Sequence, residues 1–263
     1  MAIMNPILII PARMGAQRLP GKPLADIEGE SMIVRVWRCA EAAQAGPVAV
    51  AAGDAEIVAA VREAGGRAVL TDPALASGSD RVLAALRILD PDGRHDVVVN
   101  LQGDMPFIAP EAVSVCLSAL ARTPEADITT VVAPEKSPAD RANPAVVKAI
   151  LAISPEGDLG RALYFTRSTP YGEGPIWEHL GLYAYRRSAL ERFCAAPTSP
   201  LEKRERLEQL RAMELGLKIW AGVTAVAPLS VDTPEDLEAA RVEARSRGLG
   251  RTIGRQPNVG ATA

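Results

Sequence analysis

Short apolar runs alternate with amphipathic stripes along most of the chain. Unbroken apolar runs at 7–10, 48–52 and 97–99 are typical of strands buried on both faces. Between them, apolar residues recur at helical spacing, first over residues 32–40 and again over 82–89. This alternation indicates an α/β fold with a mixed, mostly parallel sheet flanked by helices.

The pattern changes between about residues 143 and 215. Strand-like segments at 146–151, 162–166 and 181–185 follow one another with little helical pattern between them. We therefore predict a smaller antiparallel insertion on the main sheet, followed by a helix from Pro200 to Leu215. We expect a single domain over residues 1–250. The tail over 251–263 has no periodicity, and we expect it to be disordered.

Composition excludes several classes of protein. The formal net charge of the 263-residue chain is −3, which argues against nucleic acid as a partner. The three cysteines form no C-x-x-C pair, and two histidines are too few for a histidine-rich metal site. No apolar run approaches the ~20 residues of a membrane span, so we expect no membrane contact. No signal peptide is visible, and the expected location is the cytoplasm.

The loop after the first strand is rich in fixed positive charge. It carries Arg13, Arg18 and Lys22 together with Gly15 and Gly21. Glycine lets backbone N–H groups approach an anion, and the cations neutralise several negative charges. The spacing fits neither a Walker loop nor a dinucleotide fingerprint. The loop therefore predicts a polyphosphate site of another kind, the alternative being a solvated loop with scattered cations.

Two carboxylates fall where a metal ion beside a polyphosphate would need them. Asp104 lies in the turn directly after a buried strand, and ligands of open α/β sheets bind beyond the carboxyl ends of strands. Asp232 precedes a helix whose expected cap is Thr233, with Asp236 as its capping-box partner. That assignment leaves Asp232 free for Mg²⁺, which favours one or two carboxylates plus substrate oxygens. The alternatives are a turn-forming Asp104 and an Asp232 that only complements the helix dipole.

A third segment, from Ser77 to Arg81, begins a helix. Its small residues allow close approach of a flat ligand, and Arg81 adds a planar donor fork. Taken alone, this segment favours a plain helix cap formed by Ser79.

Eight segments together resemble one enzyme family, the 3-deoxy-manno-octulosonate (Kdo) cytidylyltransferases. They occur in order from about Ile7 to Arg241 and read IIPARMGAQRLPGKPL, LTDPALASGSDR, VNLQGDMPFI, NPAVVKAI, ALYFTR, HLGLYAYRR, SPLEKRERLEQLRAMELG and SVDTPEDLEAAR. The resemblance implies a nucleotide-diphospho-sugar transferase-like fold and a homodimer, with the insertion as dimerisation subdomain. It also implies transfer of CMP from CTP to Kdo with Mg²⁺ as cofactor, for lipopolysaccharide biosynthesis.

The resemblance also implies roles for individual residues. The nucleotide-binding positions would be Pro11, Ala12, Arg13, Arg18, Lys22, Ser77, Gly78, Arg81 and Gln102. The sugar-binding positions would be Gln102, Arg167, His179, Tyr183, Glu208 and Gln209. Asp104 and Asp232 would bind the metal and, with Lys22, form the catalytic group. Without the resemblance, the last five sugar-binding residues read as ordinary strand or helix-face positions.

Two departures from the family pattern affect the predicted site. Residues 14–17 read Met-Gly-Ala-Gln where the family more often carries a Ser-Thr pair, so we expect altered affinity rather than lost activity. Met105 stands at a commonly acidic position. Two alternatives stay open: CMP transfer to a related acidic sugar (8-amino-Kdo or an acylneuraminate), and a non-catalytic nucleotide-sugar-binding relative. The SPLE…LEQLR segment favours Kdo over an acylneuraminate, and the retained cations and carboxylates weigh against a non-catalytic role.

Overall fold

A computed structural model describes residues 4–15, 18–135, 137–172 and 174–249. The strands are β1 (Pro6–Ala12), β2 (Asp26–Ile27), β3 (Glu30–Ser31), β4 (Val48–Ala52), β5 (Ala68–Leu70), β6 (Val97–Leu101), β7 (Ile128–Pro134), β8 (Lys148–Ile153), β9 (Leu159–Thr166), β10 (Trp177–Arg186) and β11 (Ile219–Val223). The helices are α1 (Met32–Ala42), α2 (Ala55–Glu63), α3 (Gly78–Leu89), α4 (Pro110–Arg122), α5 (Pro138–Ala142), α6 (Arg187–Ala195), α7 (Pro200–Glu205), α8 (Gln209–Glu214) and α9 (Pro234–Ser246). The tail expected to be disordered lies outside the described residues.

One large sheet organises the described part of the chain. Its strand order is β5-β4-β1-β6-β10-β7-β11-β9-β8, and only β9 and β10 run against the other seven strands. The predicted mixed, mostly parallel sheet is therefore confirmed. β8 also pairs with β10, so that β10, β7, β11, β9 and β8 form a closed ring of pairings.

Helices cover both faces of the sheet. Successive side chains of β1 accordingly point into two different buried clusters, one on each face. Leu8 and Ile10 pack into the cluster that contains α1, α2 and α4. Ile7 and Ile9 pack on the opposite face with α3 and α6. Full burial of such a side chain stabilises the fold by about 1.5–3 kcal/mol. Among the described residues, no helix is both long and apolar enough to cross a membrane.

The structure corrects one expectation about the second half of the chain and bears out another. The single helix predicted from Pro200 to Leu215 is wrong: it is split into α7 and α8 at Arg206, which adopts a left-handed conformation (φ 57°, ψ 44°). The antiparallel insertion was predicted to lie on the main sheet, and β8, β9 and β10 do all join that sheet. Helices α5 and α6 were not predicted.

Candidate active site

A cleft of about 850 Å³ opens at the carboxyl ends of β1 and β6. Five basic and two acidic side chains line it, which makes the cleft strongly cationic. The charged lining residues are Arg13, Arg18, Lys22, Arg167, Arg206, Asp104 and Asp232, and the remaining ones are Pro11, Ala12, Gly15, Leu19, Pro23, Gln102, Gly103, Pro144 and Ala145. The cleft therefore brings together the predicted polyphosphate loop and both predicted metal ligands.

The loop after β1 turns back on itself before Lys22. Gly21 has φ 70°, a conformation that glycine adopts without steric cost, and its N–H donates to the Met14 carbonyl at 3.3 Å. A 3₁₀ turn over Lys22–Leu24 follows at once. The Met14 N–H donates to Asp54 Oδ2 at 2.8 Å, which ties the loop to the end of β4. Ala16 and Gln17, which carry the predicted departure in this loop, lie outside the described residues.

Lys22 stands between the two predicted metal ligands. Its Nζ donates to Asp104 Oδ2 at 3.0 Å and to Asp232 Oδ1 at 2.9 Å, while Arg18 pairs with Asp232 Oδ2 at 3.0 Å. Burial lowers the pKa of Lys22, but the two carboxylates outweigh burial and raise it above its ordinary value. Burial raises the pKa of Asp232, and the bonds and charges of Lys22 and Arg18 bring it below its ordinary value. Lys22 and Asp232 are therefore held in their charged forms.

Backbone contacts hold the two acidic segments together. The Val231 N–H donates to the Asp104 carbonyl at 2.9 Å. Thr233 caps α9 and forms a capping box with Asp236, as the sequence predicted. The Asp236 carboxylate also accepts the N–H of Asp232 at 2.9 Å. The helix terminus is thus satisfied by other groups, and the Asp232 side chain is left to face Lys22.

The donor set fits a divalent ion bound together with phosphate. The described residues contain no group of three or more His, Cys, Asp or Glu side chains that could hold a metal by themselves. Asp104 and Asp232 nevertheless present oxygens to one cation, since each has an oxygen within about 3 Å of the same Lys22 nitrogen. Mg²⁺ is usually held by one or two carboxylates, with substrate phosphates and water completing its shell.

A smaller cavity of about 170 Å³ adjoins the cleft and contains most of the remaining residues predicted to bind the nucleotide. It is lined by Pro11, Ala12, Arg13, Leu75, Ser77, Gly78, Arg81 and Gln102. Ser77, not Ser79, caps α3, so the expected cap was wrong by two residues. Arg81 is buried and donates to Thr71 Oγ1 at 2.6 Å and to the Asp72 carbonyl at 3.1 Å. Its guanidinium therefore stabilises the wall of this cavity.

The predicted sugar-binding residues separate into two groups. Gln102 and Arg167 line the cleft, whereas the other four lie outside its lining. Arg167 donates to the Pro144 carbonyl at 3.0 Å. Gln209 is buried. Glu208 lies outside the cleft and accepts a hydrogen bond from the Ser79 hydroxyl.

A chain of hydrogen bonds connects Gln102 to Glu208. Gln102 Nε2 donates to Asn100 Oδ1 at 3.2 Å, and Asn100 Nδ2 donates to Ser79 Oγ at 3.4 Å. Ser79 Oγ in turn donates to Glu208 Oε2 at 3.2 Å, and Arg211 donates to Glu208 Oε1 at 3.0 Å. Burial raises the pKa of Glu208, although hydrogen bonds and the Arg211 charge act in the opposite direction.

His179 and Tyr183 make a tilted ring-to-ring contact on β10. Their ring centroids are 5.3 Å apart, and Phe165 meets His179 edge-on at 5.1 Å. His179 Nε2 lies 3.0 Å from Thr130 Oγ1. Burial lowers the pKa of His179 to about 3 and raises that of Tyr183 above its ordinary value. Both side chains are therefore neutral near pH 7.

Several residues of this region were missed by sequence reasoning. Arg206 lines the cleft, while Asn100 and Arg211 belong to the buried polar chain. The available signal for Asn100 was a lone amide inside an apolar strand. Met105, which departs from the family pattern, is buried in the main core cluster, 3% exposed.

Comparison with known proteins agrees with this geometry. The chain matches the cytidylyltransferase family over residues 7–219. Relatives named 3-deoxy-manno-octulosonate cytidylyltransferase, from Parvibaculum lavamentivorans and Rhodospirillum centenum, are 55% and 56% identical to it. The matches cover 93% and 90% of this chain and 95% and 92% of the relatives.

Two solved structures extend the comparison. CMP:2-keto-3-deoxy-manno-octonic acid synthetase complexed with CTP is similar with a TM-score of 0.84 at 35% identity, over 92% of this chain and 99% of that one. A 4-diphosphocytidyl-2C-methyl-D-erythritol synthase from Anaerococcus prevotii shares the fold, with a TM-score of 0.62 at 13% identity over the same shares of the two chains. Fold and site thus define a cytidylyltransferase. Within that class, the chain belongs to the 3-deoxy-manno-octulosonate cytidylyltransferase family.

Proposed function

We propose that this chain transfers CMP from CTP to Kdo, giving CMP-Kdo and pyrophosphate. The observation that carries the proposal is the arrangement of Arg18 and Lys22 opposite Asp104 and Asp232 in one cleft. A nucleoside triphosphate and an acidic sugar are both anionic, and this cleft has an excess of positive charge. The relatives' names and the CTP complex of the 35% identical structure support the choice of substrates.

The chain's own residues would act mainly by position and charge, as is usual in phosphoryl-type transfer. In the proposed step the anomeric hydroxyl of the sugar attacks the α-phosphorus in line: the new O–P bond forms, the α–β P–O bond breaks, pyrophosphate leaves with the bridging oxygen, and the hydroxyl proton is released to solvent. Arg13, Arg18 and Lys22 would bind the phosphates and offset charge developing on the leaving group. Removing one such preorganised group typically costs on the order of 10²–10³ in rate.

Asp104 and Asp232 would hold Mg²⁺ as the cofactor. The bound ion would supply charge neutralisation at the phosphates and favour the ionised form of the attacking hydroxyl. Lys22 occupies the space between these carboxylates in the free protein, so it has to release at least one of them before a cation can bind both.

The smaller cavity suits the cytosine and ribose. Gly78 and the pyrrolidine of Pro11 leave a flat space beside Gln102, and a Cβ at residue 78 would lie 3.4 Å from Pro11. Gln102 lines both this cavity and the main cleft, which is consistent with contact to nucleotide and sugar. His179, Tyr183, Glu208 and Gln209 would then act as the wall behind the sugar, with Gln102 in front of them.

Assembly and cellular role follow the family. We propose a homodimer whose contact includes residues 143–215, where the large apolar side chains Ile153 and Leu163 are 40% and 45% exposed. Analytical ultracentrifugation tests this, and a monomer at micromolar concentration would contradict it. The product would feed lipopolysaccharide biosynthesis in the cytoplasm.

Pyrophosphate release tests the proposed activity. The purified chain, CTP and Mg²⁺ are mixed with Kdo, 8-amino-Kdo or an acylneuraminate in parallel reactions. We expect turnover with Kdo and none with the acylneuraminate. Binding of CTP without turnover of any sugar would instead support a non-catalytic relative, and a preference for 8-amino-Kdo would replace the proposed sugar.

A further inference from the structure

Arg206 is the charged residue of the cleft for which neither the sequence nor the proposed function implies a role. It ends α7 in a left-handed backbone conformation, which costs free energy for any residue with a Cβ. Glu28 and Gln44 are the other non-glycine residues with positive φ in the described part of the chain, and neither lines the cleft. Strained backbone of this kind clusters at functional sites.

The guanidinium of Arg206 is exposed and available. It makes no hydrogen bond or ion pair with any residue that the structure describes. Nearby basic side chains are already engaged: Arg204 donates to the Tyr164 hydroxyl at 3.1 Å, and Arg211 pairs with Glu202 and Glu208. An unpaired arginine facing a cleft has five N–H donors for an anionic ligand.

Arg206 belongs to a different wall of the cleft from the polyphosphate loop. The Tyr164 hydroxyl donates to Glu205 at 3.4 Å, which ties the end of α7 to β9. Arg167 follows β9 directly and lines the same cleft. Arg13, Arg18 and Lys22 come instead from the loop after β1. The cations of the cleft thus come from two separate parts of the chain, which suits a site for two anionic substrates.

We propose that Arg206, together with Arg167, binds the carboxylate of the acidic sugar. The inference rests on the proposed function and adds to it a residue that determines specificity for acidic sugars. Planar guanidinium groups bind carboxylates through paired hydrogen bonds, which a neutral sugar derivative would not provide. The break between α7 and α8 is what brings Arg206 into the cleft.

The strained backbone allows a test that separates binding from folding. Arg206→Gly keeps the left-handed conformation while removing the side chain, so it should raise the melting temperature by about 2–4 °C. The same variant should raise KM for Kdo by about tenfold or more, because a charge-assisted contact is lost. KM for CTP should stay within about twofold. Arg206→Lys keeps the positive charge but loses the planar pair of donors. Its KM for Kdo should lie between those of the wild type and Arg206→Gly.

Two controls make the result specific. Lys203→Gln removes a neighbouring exposed charge that is not part of the cleft lining, and should leave both KM values unchanged. The neutral amide of Kdo should inhibit the wild type and Arg206→Gly equally, since it lacks the carboxylate.

Each contrary result has a distinct meaning. If the wild type turns over Kdo but Arg206→Gly keeps its KM for Kdo, or shows a raised KM for CTP instead, the inference is overturned and the proposed function stands. If the wild type does not turn over Kdo with CTP, the proposed function fails and the inference falls with it.

Discussion

Replacing Lys22 by methionine tests whether this ammonium group serves as an internal cation between Asp104 and Asp232. Methionine keeps the apolar length of the side chain and removes its charge. Two carboxylates would then face each other, with only Arg18 at one of them. We expect the variant to fold, to be less stable than the wild type, and to respond more strongly to divalent ions.

The size of the effect follows from the burial of the three groups. Breaking a fully buried pair costs about 3–5 kcal/mol, whereas exposed pairs contribute about 0–1 kcal/mol. The Lys22 side chain is 15% exposed, and those of Asp104 and Asp232 are 25% and 40% exposed. An intermediate loss of about 1–3 kcal/mol is therefore expected. In a chain of this size, that loss lowers the melting temperature by roughly 2–10 °C.

The assay is thermal denaturation without nucleotide at increasing MgCl₂. A ligand that binds only the folded chain raises its stability in proportion to RT ln(1 + [L]/Kd). Lys22→Met should gain several degrees at millimolar Mg²⁺, while the wild type, whose carboxylates are already paired, should gain much less. Lys203→Met, the same replacement at an exposed position outside the cleft, is the matched control. Equal gains in all three proteins would refute the reasoning.

Three further predictions concern single side chains. Asp104→Ala should stay folded and lose on the order of 10²–10³ in kcat for pyrophosphate release, and near-normal turnover would reject its assigned role. Burial lowers the pKa of His179 to about 3. Between pH 6.5 and pH 3 this imidazole is therefore protonated in the unfolded chain and neutral in the folded chain. His179 should therefore contribute a loss of up to about 1.4 kcal/mol in unfolding free energy for each pH unit from pH 6.5 towards 3, and urea titrations of His179→Asn should lack it. Gly181→Ala places a Cβ 2.8 Å from Gln102 Cγ, and the displaced amide should raise a substrate KM by about tenfold while the melting temperature changes little; unchanged kinetics would show that Gln102 adjusts freely.

The parts of the fold predicted correctly are those that depend on local pattern. β1, β4 and β6 are buried on both faces, so each appears in the sequence as a continuous apolar run. The pairing of β8 with β10 was not predictable, because it depends on the register of strands that are distant along the chain. The helix break at Arg206 was not predictable either. Arginine is a good helix former, and a left-handed cap is usually indicated by glycine or asparagine.

The same distinction applies to the site. Asp104 lies at a strand end and Asp232 precedes a capped helix, and both positions are marked by local sequence rules. The polar chain from Gln102 to Glu208 joins residues more than a hundred positions apart through Asn100 and Ser79. Sequence showed Glu208 as a residue on a solvated helix face, because helical spacing does not reveal what packs against that face.

In the free cleft, the cations proposed to bind the triphosphate are paired with the carboxylates proposed to bind the metal ion. Lys22 is paired with two carboxylates and Arg18 with one of them, whereas Arg13 and Arg206 have no ion pair with residues that the structure describes. A triphosphate that attracts Lys22 and Arg18 would free the oxygens of Asp104 and Asp232 for a divalent ion. A divalent ion at those oxygens would, conversely, free the two cations for phosphate. Each ligand thus removes an interaction that opposes the other, and thermodynamic linkage requires the resulting coupling to be equal in both directions. The apo salt bridges therefore favour joint binding of nucleotide and metal over binding of either alone.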